Sequence, residues 1–115
     1  MQIHFDPQMN DTDFRPETMQ IVAADDGLPM WVTTPADIVA TLTIKSPCGY
    51  TVFTQKSTDS SGVITIRDDA FVDIYIDDST MTSFQSGRHM LFMKMETEGY
   101  TTQVFTGVLP IYEVA

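Results

Sequence analysis

Three adjacent pairs of aspartates are the densest groups of reactive side chains in this sequence of 115 residues. They are Asp25 with Asp26, Asp68 with Asp69, and Asp77 with Asp78, each between stretches of strand-like sequence. Loop carboxylates can hold calcium, which takes about six to eight oxygen ligands, but no pair has the spacing of a helix–loop–helix calcium site. Aspartate also forms turns, because its side chain hydrogen-bonds to the nearby backbone. We therefore predict that the pairs form turns, and we predict no metal and no cofactor.

Two histidines and one cysteine are the remaining candidates for catalysis: His4, His89 and Cys48. A metal site with one histidine from each end of the chain is conceivable, but His89 falls on an apolar strand face, where a buried histidine is the usual case. Nucleophilic catalysis needs Ser or Cys beside His and an acid, and nothing in the sequence brings such residues together. The six glycines form no phosphate-binding loop. We predict that the protein is not an enzyme.

The composition narrows the classes of function further. Sixteen acidic residues against six Lys and Arg give a net charge of −10, which argues against nucleic acid and anionic membrane as partners. The lone cysteine excludes an internal disulfide and suits assembly in a reducing compartment. We expect no secretion signal in "MQIHFDPQMN" and no membrane-spanning segment. A hydrophobic share of 43% suits one packed domain.

Alternating hydrophobicity predicts the elements that would position these side chains. Four runs place apolar residues at every second position, which is the period of a half-buried strand. The expected core positions are Ile38, Leu42, Ile44, Ile64, Ile66, Val72, Ile74, Ile76, Leu91 and Met93. A single helical turn is expected within residues 78–85, with Met81 and Phe84 packing down. The pattern predicts an all-β fold, a single antiparallel, immunoglobulin-like β-sandwich of seven to eight short strands over residues 18–115.

A hairpin near the C-terminus, residues 87–109, carries the first candidate interaction residues. Its turn is expected at Glu98 and Gly99, and Pro110 is expected to make the final strand an edge strand. Apolar residues on the outward strand faces form a candidate interface for a partner, since soluble monomers rarely group them on an exposed sheet. They are Met90 and Phe92 of the hairpin, together with Phe71 and Tyr75 of the strand-like run before it.

The N-terminal residues 1–17 differ from the rest, being polar and interrupted by two prolines. Residues 2–5 could add one short strand. We predict that residues 1–17 form an arm that orders on a neighbouring subunit, where Ile3, Phe5 and Phe14 would be buried. Trp31, which follows a predicted turn, is expected to fill the core rather than to form a platform for a ligand.

Residues 38–112 resemble the small β-sandwich domain of tailed-bacteriophage structural proteins, including the N-terminal domain of baseplate upper proteins. The resemblance rests on Gly-Val-Ile-Thr-Ile at residues 62–66, on Phe-Gln-Ser-Gly at residues 84–87, and on Gly-Val-Leu at residues 107–109. Where that family has a tyrosine pair, this sequence has His89 to Lys94 without tyrosine.

The resemblance implies a virion component that is made in the host cytoplasm: an adaptor, a baseplate or fibre-base protein, or a head decoration protein. It implies contacts with other virion proteins in a symmetric homo-oligomeric array, and no catalytic residues. The alternative is a free-standing β-sandwich module that binds a carbohydrate or another cell-surface ligand.

Overall fold

The structure, a computed structural model, describes residues 2–23, 25–97 and 100–113, and about half of them belong to strands. The strands are β1 (Gln2–His4), β2 (Gln8–Met9), β3 (Met19–Gln20), β4 (Val39–Lys45), β5 (Thr51–Lys56), β6 (Ile64–Arg67), β7 (Phe71–Ile74), β8 (Gly87–Thr97) and β9 (Tyr100–Tyr112). Helix in these residues is limited to a 3-10 turn, Asp68–Ala70, and to α1, Asp78–Met81. The predicted all-β fold is confirmed, and the described helices are too short to cross a membrane.

The long hairpin of β8 and β9 is the centre of the larger sheet. The strand order is β1-β9-β8-β4-β5, and β2 also pairs with β9. β4, β5, β8 and β9 are antiparallel neighbours, but β1 and β2 run parallel to β9. The larger sheet is therefore mixed, and the expectation of a purely antiparallel fold is wrong at this edge. The predicted turn at Glu98 and Gly99 lies outside the described residues.

Pro110 does not make β9 an edge strand, which corrects a second expectation. On one side Pro110 lies opposite Arg88 of β8. On the other side it falls in the gap between β1, which ends opposite Val108, and β2, which begins opposite Ile111. Proline lacks a backbone N–H, and the gap removes the need for one. A central strand can therefore contain this proline without losing a ladder hydrogen bond.

The smaller sheet has the order β3-β7-β6 and packs its apolar face against the larger one. Its inward residues Ile64, Val72 and Ile74 are buried, as the alternating pattern predicts. Leu42, Ile44, Leu91 and Met93 complete the core from the larger sheet, each with no exposed surface. Of the ten predicted core residues, nine are buried and Ile66 is partly buried. The fold is thus sandwich-like, with one core between two sheets.

The connection from β7 to β8 contains the expected helical turn. The Asp77 carboxylate caps α1 by accepting a hydrogen bond from the Thr80 backbone N–H at 2.9 Å. Satisfying this otherwise free N–H is the usual way an aspartate starts a helix. Met81 and Phe84 then point inward and are buried, as predicted.

The N-terminal segment, residues 1–17, pairs with strands of the same chain. β1 and β2 pair with β9, and Phe14 exchanges two backbone hydrogen bonds with Ile76, of 2.8 and 2.9 Å. The Phe14 side chain is only 2% exposed. The segment can therefore bury apolar side chains and hydrogen-bond its backbone within the monomer, without a neighbouring subunit. A boundary at residue 17 stays a prediction.

Candidate functional site

The aspartate pairs act in turns and caps, as predicted. Asp26 accepts a hydrogen bond from the Leu28 backbone N–H at 3.0 Å, and Asp68 accepts from the N–H and the hydroxyl of Thr34 at 2.9 and 2.8 Å. These bonds lower the pKa of Asp68, and the bonds from Thr80 lower that of Asp77. Within the described residues, no three His, Cys, Asp or Glu side chains are placed to hold a metal ion.

The two histidines lie on opposite faces of the larger sheet. His4 is exposed on β1, whereas His89 points into the core and is fully buried against the Phe84 ring, with ring centroids 5.7 Å apart. His89 Nδ1 lies 3.2 Å from the Gly87 carbonyl oxygen, and Nε2 is buried without a protein partner. Burial lowers the pKa of His89, so the ring is neutral near pH 7. This geometry gives the two histidines no shared metal site and gives Cys48, which is exposed, no histidine partner.

The outer face of the larger sheet holds the first part of the predicted interface. Phe92 lies between Thr43 of β4 and Thr106 of β9. In the next row, Met90 lies between Lys45 and Val108. Val108 is buried, while Met90 and Phe92 keep part of their surface exposed. Their alternation with the buried Leu91 and Met93 places them on the side away from the core. We call this surface the large-sheet face.

The same large-sheet face holds most of the positive charge of the protein. Lys45 lies with its Nζ 5.3 Å from the centroid of the Phe92 ring. Lys56 and Lys94 lie on either side of Thr41 in one row across β5, β4 and β8. Arg88 precedes Met90 by two residues on β8 and therefore shares its face. Four of the six Lys and Arg residues thus lie on one sheet face of an acidic protein.

Glu96 is the one carboxylate at an outward position on the described strands of this face. Its Oε1 lies 3.5 Å from Lys94 Nζ, and both side chains are about half exposed, at 46% and 54%. An exposed pair of this kind contributes little to stability. At its outward strand positions the large-sheet face therefore carries a net positive charge, with the Lys45 ammonium group over the Phe92 ring.

Phe71 and Tyr75 lie on the outer face of the smaller sheet, and not with Met90 and Phe92. The Arg67 guanidinium lies 5.3 Å from the Phe71 ring centroid and forms a 2.8 Å ion pair with Asp73. The prediction of one outward set is therefore corrected: the four residues are divided between two opposite faces. The reason is that Phe71 and Tyr75 belong to the β7 segment, which pairs with β3 and β6 only. We call this second surface the small-sheet face.

A polar network covers the small-sheet face. The Arg15 guanidinium stacks 4.5 Å from the Tyr75 ring centroid, and the Tyr75 hydroxyl donates to Asp13 at 3.1 Å, which raises the pKa of Tyr75. The Thr18 hydroxyl donates to Asp73, and this bond, with the Arg67 contact, lowers the pKa of Asp73. These contacts keep the Asp73 carboxylate charged at neutral pH.

The three predicted N-terminal interface residues lie inside the chain's own fold. Phe5 packs edge-on against Phe14 and Phe105, with centroid distances of 5.4 and 6.1 Å. Ile3 and Phe5 are partly buried against the core. Their apolar surface is therefore largely used within the monomer, and the sequence alone gave no sign of the β9 partner that makes this possible.

A second apolar feature, which the sequence did not indicate, lies beside Trp31. This side chain is partly buried against the core, in line with the prediction, and its Nε1 donates to the Arg67 carbonyl oxygen at 3.1 Å. It also lines a cavity of about 80 Å³ together with Ile21, Met30 and Met95. The turn chemistry at Asp25, Asp26 and Gly27 predicted a turn here, but not the apolar residues exposed around it. They are Val22, Leu28, Met30 and Val32.

Comparison of the chain with known protein families and with curated protein sequences gives no match.

Proposed function

We propose that this protein is a structural component of a tailed-phage virion and that it acts through protein–protein contacts. The observation that carries the proposal is the large-sheet face, where Met90 and Phe92 lie in the centre of a wide, unpartnered sheet surface. The resemblance of residues 38–112 to phage β-sandwich domains supplies the biological setting. The finer assignments, an immunoglobulin-like sandwich, a place in a symmetric array and assembly in the host cytoplasm, belong to the same proposal.

Burial of the large-sheet face against a partner is physically favourable. Transfer of apolar surface from water stabilises a contact by about 25 cal/mol per Å², and Phe and Met are enriched in the centres of interfaces. Methionine also adapts its shape to an irregular partner. Lys45 Nζ already lies over the Phe92 ring, so this cation and the ring would enter the contact together.

Particle composition tests the proposal directly. Virions of the phage or induced prophage that encodes the chain, purified by density gradient, should contain the protein at a fixed copy number by quantitative mass spectrometry. Its absence from intact particles would reject the virion assignment.

A substitution on the large-sheet face links that assignment to the contact. Phe92→Asp should prevent incorporation into particles, because it removes the aromatic ring from the contact and requires a carboxylate to be desolvated there. The stability of the isolated protein should change by about 1 kcal/mol or less, as for other surface changes. Leu28→Asp is the matched control: it adds the same charge at a side chain that is 62% exposed on a different surface, and it should incorporate normally. Equal incorporation of both variants would place the contact elsewhere.

The cavity beside Trp31 favours one second candidate, a β-sandwich module that binds a ligand. A volume of about 80 Å³ suits a single apolar group rather than a whole sugar ring. Binding of a cell-surface ligand that carries an exposed apolar group by the isolated monomer, lost on Trp31→Ala, would support the module. Such binding together with absence from particles would replace the virion proposal.

A further inference from the structure

The first half of β9 has a neighbouring strand on one side only. β9 pairs with β8 along almost its whole length. On its other side, β1 pairs with residues 106–108 and β2 pairs with Ile111 and Tyr112. In the part of the chain that the structure describes, residues 101–105 have no strand on this side and make no further backbone hydrogen bond there. Because strand residues point their N–H and C=O groups alternately to either side, this edge offers unpaired main-chain donors and acceptors.

The same edge of β9 already binds two short extended segments of the chain itself. β1, of three residues, and β2, of two residues, lie one after the other along it, and both run parallel to β9. Phe5, which follows β1, packs over Gly107, where a Cβ would lie 2.6 Å from the Phe5 ring. Backbone pairing and one well-placed side chain thus suffice to hold an extended segment here. Residues 101–105 continue the same edge.

Two apolar cavities lie beside residues 101–105. Val104 lines both the cavity of about 80 Å³ beside Trp31 and a second cavity of about 240 Å³. Ile21 also lines both, so the two cavities adjoin. The register of β8 and β9 leaves Val104 without an opposite residue, and such a bulge redirects side chains, which explains how Val104 and Phe105 both line the second cavity. None of the described residues that line either cavity is charged.

We infer that residues 101–105 of β9 bind an extended segment of a partner protein by strand addition, with aliphatic side chains at alternate positions in the two cavities. In this mode of binding, main-chain hydrogen bonds supply affinity and pockets for alternate side chains supply specificity. Alternate side chains lie about 7 Å apart on one face of a strand, which suits two adjoining cavities. The cavity beside Trp31 is smaller than the cavity of about 150 Å³ that holds benzene, so it favours a valine-sized group over an aromatic ring. The inference goes beyond the proposed function, since it concerns an edge of the sheet and not the large-sheet face.

Two other kinds of occupant satisfy only one of these features. A second copy that paired through its own β9 would bring Thr102 and Val104, but these side chains already line the cavity of that copy and are not free to enter the next one. A hydrocarbon chain or another apolar small molecule could fill the cavities, but it would leave the N–H and C=O groups of residues 101–105 unpaired. An extended peptide with free aliphatic side chains uses both the edge and the cavities.

A peptide titration followed by nuclear magnetic resonance tests the inference on the full chain. The probe is the capped peptide acetyl-Ser-Val-Thr-Val-Ser-amide, whose palindromic sequence presents the same side chains in parallel and in antiparallel pairing. It should shift the backbone amide signals of residues 101–105 and the indole N–H signal of Trp31, which is the one tryptophan of the chain. The amides of β5, at the opposite edge of the same sheet, are the internal control and should not shift.

Two altered peptides separate the backbone from the side chains without changing the protein. Replacing both valines of the peptide by alanine should weaken binding at least about tenfold, because less apolar surface is buried. Methylating the backbone nitrogens of its three central residues should abolish binding, because strand pairing needs those N–H groups. The inference is overturned if no signal of residues 101–105 shifts up to the solubility limit of the peptide, or if β5 shifts equally. Equal binding of the methylated peptide would assign the cavities to an apolar ligand, and shifts of residues 101–105 on dilution of the chain alone would assign the edge to a second copy; either result overturns it.

Discussion

Phe14→Ala tests whether residues 1–17 are an arm or part of the fold. The Phe14 side chain is 2% exposed and packs edge-on against Phe5 at 5.4 Å. Its backbone hydrogen bonds to Ile76 do not depend on the side chain and should survive in the variant. The substitution therefore removes packing alone.

The expected loss follows from that packing. Truncation of a buried phenylalanine to alanine costs about 3–5 kcal/mol, which includes the cavity it leaves. The edge-to-face contact with Phe5 places the value in the upper part of this range, since such pairs contribute about 0.5–1.5 kcal/mol. Domains are stable by about 5–15 kcal/mol, so the variant should fold but be close to the limit.

Urea unfolding followed by circular dichroism is the assay. A loss of about 4 kcal/mol shifts the midpoint by roughly 2 M when the slope is about 2 kcal/mol/M. Phe92→Ala is the matched control, the same change on the large-sheet face, where the side chain is only partly buried; its expected loss is about 1 kcal/mol. An unchanged midpoint for Phe14→Ala would show that residues 1–17 are a separate arm, and deletion of that segment would then leave the sandwich folded.

Two further predictions concern buried positions of the hairpin. The folded-state pKa of His89 lies below its ordinary value of about 6.5, so the unfolded chain binds the proton first as the pH falls. The free energy of unfolding should therefore decrease below about pH 6.5, by at most about 1.4 kcal/mol per pH unit, until the folded-state pKa is passed. A pH series of urea midpoints checks this, and His89→Gln should remove the histidine-dependent decrease. Gly107→Ala should destabilise the protein by about 1–3 kcal/mol, because the new Cβ would lie 2.6 Å from Phe5 Cε2. The Phe5 ring is held between Phe14 and Phe105, so it has little room to move away. An unchanged thermal midpoint would show that Phe5 moves freely.

The inward and outward phases of the long strands were predictable from the sequence, because burial on a strand follows a local period of two residues. Ile44, Ile74 and Leu91 are buried as their alternating neighbours indicate. The short helix was also predictable, since Asp77 is a strong N-cap and Met81 and Phe84 have helical spacing. These features depend on residues that are close in sequence.

The place of the N-terminal segment was not predictable by the same means. β1 pairs with β9 across about a hundred residues of sequence, with Ile3 opposite Gly107. The segment is short, polar and interrupted by Pro7 and Pro16, so local pattern favours a loop or an arm. The gap between β1 and β2 that accommodates Pro110 exists only in the assembled sheet.

The positive charge of the large-sheet face also depends on residues that are distant in sequence and adjacent only in the sheet. Each of Lys45, Lys56, Arg88 and Lys94 occupies an outward strand position, which alternation alone would suggest. Their proximity depends on the strand order β8-β4-β5 and on the register that aligns Lys56, Thr41 and Lys94 in one row. The net charge of −10 gives no indication of this local group of cations, because it is summed over the whole chain and not over one surface.

Alternation on β8 lets one strand serve the core and the surface independently. Met93 is fully buried between the sheets, while its neighbour Phe92 lies on the large-sheet face beside Lys45. Changes at Met93 act on the free energy of unfolding, whereas changes at Phe92 act on the free energy of association. Because the two sets of side chains point in opposite directions from the same backbone, the large-sheet face can change its partner without repacking the core.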